Sequence, residues 1–310
     1  MAAVFPASVA PKAFDGLLLL SVDGGATVWA LPNASCVITD SDNISRPSLM
    51  DSSEIIHNEV PGIRMGTLSV AAPIAPDRGI DTFLSAAHGP RTGQGLTPFI
   101  YNILPYNGGG LIKGTGLWIG RTTLYGQFGV SGQQAMNMLR FSGQVADVDN
   151  VFLAPTLVAP AVAGKNGLGL SSFATFSATN SGATNYKPLR SFSLTLDNAL
   201  SVIPGIIDTT NRLCAGCQPG QLRGALTLEQ LAGAPSPLPG ARGLYPFTLA
   251  MKTGDGTKTL SIDLSTSRDG SSQNMVPEDF IARGQAYSLF GTNAGNSTGT
   301  AGWLYVATYA

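Results

Sequence analysis

Residues 66–70 read Gly-Thr-Leu-Ser-Val, and residues 224–228 repeat the pattern as Gly-Ala-Leu-Thr-Leu. Each stretch starts with glycine and then alternates small or hydroxylic residues with aliphatic ones, which is the period of a half-buried β-strand. The two stretches lie about half a chain apart, and five residues of this kind can match by chance. They predict a strand at each place and suggest two similar β-domains in one chain.

The stretch between these strands is rich in small residues. In residues 164–185, 17 of 22 residues are Gly, Ser, Ala, Thr or Asn, a composition typical of linkers and loops. The predicted organisation is an arm of loops at residues 1–60 with one short strand near 27–31, a first β-domain at 61–163, a linker or loop at 164–187 and a second β-domain at 188–310. The alternative is one domain with a large insertion.

The remaining pattern also favours β-structure. Glycine and proline are abundant, with 38 and 20 residues, and alternation predicts strands that include residues 192–198 and 303–309. Asp255-Gly256 lies between two alternating runs and predicts a hairpin. Residues 117–130 suggest strands around a turn, and 136–145 suggest a strand with a bulge. The best helix candidate is 77–87, where Ile80, Phe83 and Leu84 fall on one face.

The chain carries unusually few charges. Only 12% of its residues are charged, against about a quarter in ordinary soluble domains, and the mean hydropathy is +0.16. A surface with so little charge is poorly protected against association. We therefore expect much of it to be covered by copies of the same chain.

Other features of the composition exclude several classes of function. The net charge of -1 provides no basic surface for tight nucleic-acid binding. The apolar run at residues 17–22 is too short to span a bilayer, and no signal-peptide pattern accompanies it. Three cysteines, Cys36, Cys214 and Cys217, fit a reducing compartment.

Candidate catalytic and metal-binding motifs are weak. Cys214 and Cys217 have metal or redox spacing, but a zinc site needs two more ligands and a thioredoxin-like site needs a βαβ context. The only histidines are His57 and His88, and no G-x-S-x-G nucleophile elbow accompanies them. His88 lies where an imidazole commonly serves a helix end.

Two further motifs also favour structural roles. The glycines around Lys113, at 108–110 and at Gly114 and Gly116, lack Walker spacing and favour a flexible loop. Asp147 and Asp149 lack the rest of a calcium loop. The sequence therefore predicts no enzyme, no cofactor and no metal.

The order of elements resembles that of a known family. Residues 192–198 (Phe-Ser-Leu-Thr-Leu-Asp-Asn), residues 213–221 and residues 223–229 (Arg-Gly-Ala-Leu-Thr-Leu-Glu) resemble the major tail tube proteins of long-tailed bacteriophages. The strand at 66–70, the helix, the hairpin across Asp255-Gly256 and the last strand are similar too. The likeness covers roughly residues 60–310 and rests on arrangement.

The resemblance implies a β-sandwich flanked by a helix, with strands contributed to a continuous barrel around a channel. Rings of six tube domains stack head to tail, and duplicated members use three chains per ring. The repeated pattern favours a trimer of two-domain chains, and a hexamer of single-domain chains stays open. The implied location is the virion tail, after synthesis in the host bacterial cytoplasm. Tape-measure and tail terminator proteins are the implied partners.

Function would then be mechanical, because the tube conducts DNA during ejection. A basic channel wall would grip the phosphates, so we expect Asp and Glu to outnumber Arg and Lys on the polar faces of the barrel strands. The alternatives are another virion structural protein, such as a decoration protein or a spike, and a carbohydrate-binding or hydrolytic β-sandwich. The latter needs exposed aromatics beside paired carboxylates, whereas Trp29, Trp118 and Trp303 are widely separated.

Overall fold

The computed structural model describes most of the predicted elements and omits several connecting stretches. The described residues are 16–32, 34–41, 62–74, 80–89, 96–105, 112–127, 137–149, 173–180, 189–203, 206–208, 213–231, 244–253, 259–274, 282–289 and 305–309. Among them, no helix has the length and apolar character that crossing a membrane requires.

The elements follow in this order along the chain: β1 (Gly16–Ser21), β2 (Trp29–Pro32), β3 (Ser35–Ser41), β4 (Met65–Pro73), α1 (Ile80–His88), β5 (Phe99–Pro105), β6 (Ile112–Gln127), β7 (Met138–Asp149), β8 (Phe173–Asn180), β9 (Leu189–Asp197), β10 (Leu200–Val202), β11 (Ile206–Asp208), β12 (Leu213–Cys214), β13 (Cys217–Pro219), β14 (Arg223–Leu231), β15 (Leu244–Thr253), β16 (Thr259–Asn274), β17 (Ala282–Leu289) and β18 (Tyr305–Tyr309). The prediction of a mainly β protein with one short helix is confirmed.

The main sheet is antiparallel, and its central path runs β2-β1-β5-β6-β9-β14-β17-β16-β15-β8. A branch joins β3, β4 and β7 to β6, and β18 pairs with β16. The first part of β6 pairs with β5 and its last part pairs with β9, while β7 follows its other edge. The long strand β6 therefore belongs to two groups of strands at once.

These groups enclose one apolar core. Leu18 and Leu20 of β1 share it with Leu68 and Val70 of β4, and it continues into β14, β16 and β17. The helix α1 packs on this core through Phe83, whose ring lies beside those of Trp29, Phe99 and Phe141 at centroid distances of 6.1, 6.0 and 5.6 Å. The apolar spacing that predicted the helix is the face that it buries.

Two sets of strands follow the same pairing order. In the N-terminal set (β1, β3 to β7), the neighbours run β3-β4-β7-β6-β5-β1. In the C-terminal set (β8, β9, β14 to β17), they run β9-β14-β17-β16-β15-β8. The first to sixth strands of the two paths correspond one to one, and β4 and β14 carry the repeated Gly-small-Leu-hydroxyl-aliphatic pattern.

The correspondence extends to individual residue pairs. Between β4 and β7 the pairs run from Gly66–Val145 to Pro73–Met138, and between β14 and β17 they run from Gly224–Leu289 to Leu231–Ala282. The register shifts of the two long strands match as well, after Ile119 in β6 and after Arg268 in β16. In each case one residue, Gly120 or Asp269, forms the bulge at the equivalent step of the sheet.

The sets differ at the end of β7. Strand β7 pairs with β6 along its whole length, up to Asp149. In the C-terminal set two separate strands take its place beside β16, first β17 and then β18. Leu289 lies opposite Thr266 and Tyr305 lies opposite Leu264, so β18 continues where β17 ends.

Several predicted boundaries were wrong. The described part of residues 1–60 contains three strands, β1 to β3, instead of one, and the stretch 164–187 contains β8, which pairs with β15. Residues 117–127 do not turn, because 112–127 is a single strand, and residues 128–130 lie outside the described residues. The helix ends at His88, and residues 75–79, where its start was predicted, lie outside the described residues.

Strands were missed where the alternation of polarity was absent. The leucines of β1 are buried on both faces, so this strand reads as a continuous apolar run. Strand β8 is built from Ser, Thr, Ala and Phe and reads as a loop by composition. The two strands predicted on either side of Asp255-Gly256 pair with each other as β15 and β16, and the turn itself lies outside the described residues. The division into domains stays a prediction.

Candidate assembly surface

The two sets are joined edge to edge through β6 and β9. Residues 121–127 of β6 pair with residues 191–197 of β9 in an unbroken antiparallel register, and this pairing is called the junction below. At its end, Arg121 Nε and Nη2 donate to Asp197 Oδ2 at 3.0 and 2.6 Å. The junction therefore connects the sets through main-chain hydrogen bonds, with an ion pair at one end.

The ionisation of Asp197 is tuned by this geometry. Partial burial opposes the charged form, but the backbone N–H of Ala199, which donates at 2.8 Å, and the Arg121 guanidinium outweigh it. The pKa of the Asp197 carboxyl is therefore lower than its ordinary value. The carboxylate stays charged where it holds the end of β9.

A buried asparagine fixes the same corner. Asn198 is fully buried, and its Nδ2 donates to the carbonyl oxygens of Ala87 at 2.8 Å and Ile119 at 2.7 Å. Its backbone N–H donates to the carbonyl of Gly120, the bulge residue of β6, at 2.7 Å. Asn198 thus ties the end of β9 to the end of α1 and to the bulge. The sequence pattern placed Asn198 only at the end of a predicted strand.

The candidate metal or redox pair is part of a small apolar cluster next to the junction. Cys214 and Cys217 pack with Trp118 and Ala146, and burial raises the pKa of the Cys217 thiol to about 12. Between them, Gly216 has a φ of +133° and lies against the Trp118 ring. A glycine is needed in this turn for its backbone conformation. The arrangement gives the two cysteines a place in the packing of this cluster.

The other chemical candidates are also in structural positions. His88 is buried at the end of α1, and its Nε2 lies 2.6 Å from Thr122 Oγ1. Gly114 lies in β6 with the Tyr101 ring against it, so the predicted flexible loop is wrong at this residue. Asp147 forms an ion pair with Arg64 at 3.6 Å.

Nothing in the described segments assembles a metal site. They hold no group of three or more His, Cys, Asp or Glu side chains that could bind an ion. His57 and residues 108–110 lie outside these segments.

One face of the sheet is polar and rich in hydroxyl groups. Eight strands, in the order β3-β4-β7-β6-β9-β14-β17-β16, turn one face to the core and leave the opposite one, the polar face, without cover over much of its area. Its side chains are mostly small hydroxylic ones: Thr39, Thr67, Ser69, Thr123, Ser142, Ser193, Thr195, Thr227 and Ser288. Thr39 and Thr67 share a hydrogen bond of 2.6 Å, and Thr123 and Thr195 share one of 3.1 Å.

The described charges on this face do not match the expected acidic excess. They are the arginines Arg121, Arg140, Arg190 and Arg223 and the carboxylates Asp197, Glu229 and Asp263. Most of these arginines have a partner within the face: Arg121 binds Asp197, Arg190 lies 3.6 Å from Glu229, and the Arg140 guanidinium lies 4.8 Å from the centre of the Tyr125 ring. Four arginines and three carboxylates leave the described part of the face with a charge of about +1, and two of the arginines form ion pairs.

Two strand edges of this surface are open within the described residues. Strand β3 pairs with β4 on one edge only, whereas its equivalent β9 pairs on both. Residues 270–274 of β16 pair with β17 only, whereas the equivalent part of β6 pairs with both β7 and β9. The open edges are thus the equivalents of the two strands that form the junction.

No protein-family model matches this sequence. No curated protein matches it either.

Proposed function

We propose that this protein is a structural subunit that assembles into stacked rings and forms the tail tube of a bacteriophage, the conduit for DNA ejection. The junction is the observation that carries the proposal. One chain joins two equivalent sets of strands edge to edge and, in the part that the structure describes, keeps one open edge of each kind. A sheet that already repeats its unit once can continue through further copies until it closes.

The dimensions of such a ring suit a conduit. Each chain supplies eight strands to the continuous sheet, so three chains would give a closed sheet of about 24 strands. At about 4.8 Å between strands, such a sheet is about 37 Å across before strand tilt widens it. That width leaves room for duplex DNA when the wall carries short side chains.

The polar face has the chemistry of a channel wall. Hydroxyl groups dominate it, and its arginines are largely engaged by carboxylates and an aromatic ring. Phosphates of passing DNA would then meet few free cations, so they would not be held. In this proposal the protein has no enzymatic role, and tape-measure and terminator proteins bind at the tube's ends and interior.

The test is the assembly of the purified protein. Size-exclusion chromatography with light scattering should detect a three-chain species, and negative-stain microscopy should show rings with six lobes and an open centre, or tubes built from them. A decoration or spike protein would form assemblies without stacked open rings. A chain that stays monomeric at high concentration would contradict the proposal.

A further inference from the structure

We propose that the open edge of β3 pairs with residues 270–274 of β16 in a second copy of this chain, in the register of the junction. This inference deepens the proposed function, because it names the strands and the residue pairs through which neighbouring chains meet. It takes the junction inside one chain as the template for the contact between chains.

The template is defined residue by residue. Arg121 lies opposite Asp197, and the register continues without a shift to Gln127 opposite Ser191. Each strand of the junction has an equivalent strand in the other set. Their residues can be matched one to one, because each pairs with a neighbouring strand that also has an equivalent. In β3 and β9, Ser41 corresponds to Asp197 because Met65 and Arg223 are equivalent. In β16 and β6, Gly270 corresponds to Arg121 because Ala286 and Ser142 are equivalent.

Transferring the register gives the contact between chains. The predicted pairs are Gly270–Ser41, Ser271–Asp40, Ser272–Thr39, Gln273–Ile38 and Asn274–Val37. Each joins one chain to its neighbour through backbone hydrogen bonds. Because the two edges in contact belong to different strands, β3 of one chain and β16 of the next, the contact is head-to-tail around the ring. It leaves neither of these edges open when the ring closes.

The burial of β3 fits a missing neighbour. Phe192 and Leu194 of β9 are 2% and 1% exposed, whereas Cys36 and Ile38, at the equivalent positions of β3, are only partly buried. On the polar face, Val37 is 61% exposed. A strand laid against β3 would complete the cover that β6 provides for β9.

The sequence of β3 does not protect its edge. Open edges are commonly blunted by charged residues, proline or a bulge, and β3 has a single charge, Asp40, and neither proline nor a bulge. It carries Val37, Ile38 and Thr39 in succession, which favour strand pairing. The strand is therefore suited to pair with another chain.

The test is an engineered disulfide between chains. The variant carrying Thr39→Cys and Ser272→Cys places two thiols at facing positions of the predicted pair, where Cβ atoms of antiparallel strands come close enough to bridge. Mild oxidation should convert the protein into covalently linked oligomers. The matched control carries Thr39→Cys and Gln273→Cys, which are on opposite faces, and should give roughly tenfold less product.

The native thiols give little background. Cys36 lies on the same face of β3 as Ile38, where it could meet the thiol that Gln273→Cys introduces in the control, so both double variants also carry Cys36→Ala. The native thiols that remain are Cys214 and Cys217, and burial raises the pKa of Cys217 to about 12. The parent chain, oxidised in the same way, measures the crosslinking that comes from native cysteines alone. Unfolding curves of the reduced variants establish that both fold as the parent does.

The outcomes separate this inference from the proposed function. Crosslinked chains that form rings support both, and crosslinked chains that form no tube support the strand pairing alone. Rings or tubes that show no crosslink above the control would overturn the pairing and leave the tube proposal standing. A monomer that shows no crosslink would overturn both.

Discussion

Strands β9 and β3 occupy equivalent positions in the two sets, yet they are in different surroundings. Strand β9 has neighbours on both edges, and its apolar side chains are buried. Strand β3 has one described neighbour, and its side chains Cys36 and Ile38 are only partly buried. The sequences differ as well, since β9 alternates hydroxylic and apolar residues whereas β3 has Cys36, Val37 and Ile38 in succession. Sequence pattern therefore identified β9 and missed β3, and the number of neighbours determines how much free energy each apolar side chain contributes.

The largest effect should follow from charging the apolar side of β3. Ile38→Lys leaves a side chain that can reach water in the single chain but would be buried once a second copy covers the edge. We expect the variant to fold and to lose ring formation in light scattering and microscopy. Thr227→Lys, an exposed position on the doubly paired β14, is the matched control and should assemble. Rings formed by Ile38→Lys would exclude β3 from the interface.

Truncation of the equivalent side chains should measure the difference between the two strands. Leu194→Ala removes a buried side chain and should lower the free energy of unfolding by about 3 kcal/mol, whereas Ile38→Ala should cost about 1 kcal/mol because its site is partly open. Denaturant unfolding of the dilute monomer provides both values. Equal losses would mean that β3 is already covered within one chain.

The corner of the junction should be sensitive to the loss of its asparagine. Asn198→Ala leaves the carbonyl oxygens of Ala87 and Ile119 without the donors that reach them, which should cost about 2 kcal/mol of unfolding free energy. Ser201→Ala, an exposed change three residues on, should stay within about 0.5 kcal/mol of the parent. Denaturant unfolding measures both variants. An Asn198→Ala variant as stable as the parent would show that the pairing of β9 alone holds this corner.

The smallest effect should come from the ion pair. The pKa of Asp197 is lower in the folded state than in the unfolded state. The charged carboxylate therefore contributes to the free energy of unfolding at pH values above its unfolded-state pKa, and this contribution is lost as the pH falls through its folded-state pKa. Arg121 is largely exposed, so Asp197→Asn should cost at most about 1 kcal/mol near neutral pH. Urea unfolding from neutral to strongly acidic pH should show the parent and the variant converging. A difference that grows in acid would contradict this assignment.

The sequence was informative where one face of an element is buried. Alternation identified β4, β9 and β14, and helical spacing identified α1, because each has a polar side and an apolar side. It was uninformative for β1, which is buried on both sides, and for β8, which has too few large apolar residues to be told from a loop. Five residues of repeated pattern indicated a duplication that only the register of six strands makes clear.

The candidate site was less accessible to sequence reasoning. The junction depends on Asn198, whose two acceptors are 111 and 79 residues away in the chain. No local pattern encodes such a contact. The ion pair of Arg121 with Asp197 was not predicted either, since cross-strand partners are neighbours only after the sheet has formed.

The interrupted strand at the end of the C-terminal set has a practical meaning. Leu289 and Tyr305 hold successive places against β16, so the end of β17 and the start of β18 meet at one point of the sheet. A connection between two ends that lie so close together costs little more free energy when it is lengthened. This position is therefore a natural insertion point, where a tag or a foreign domain could be displayed on the chain.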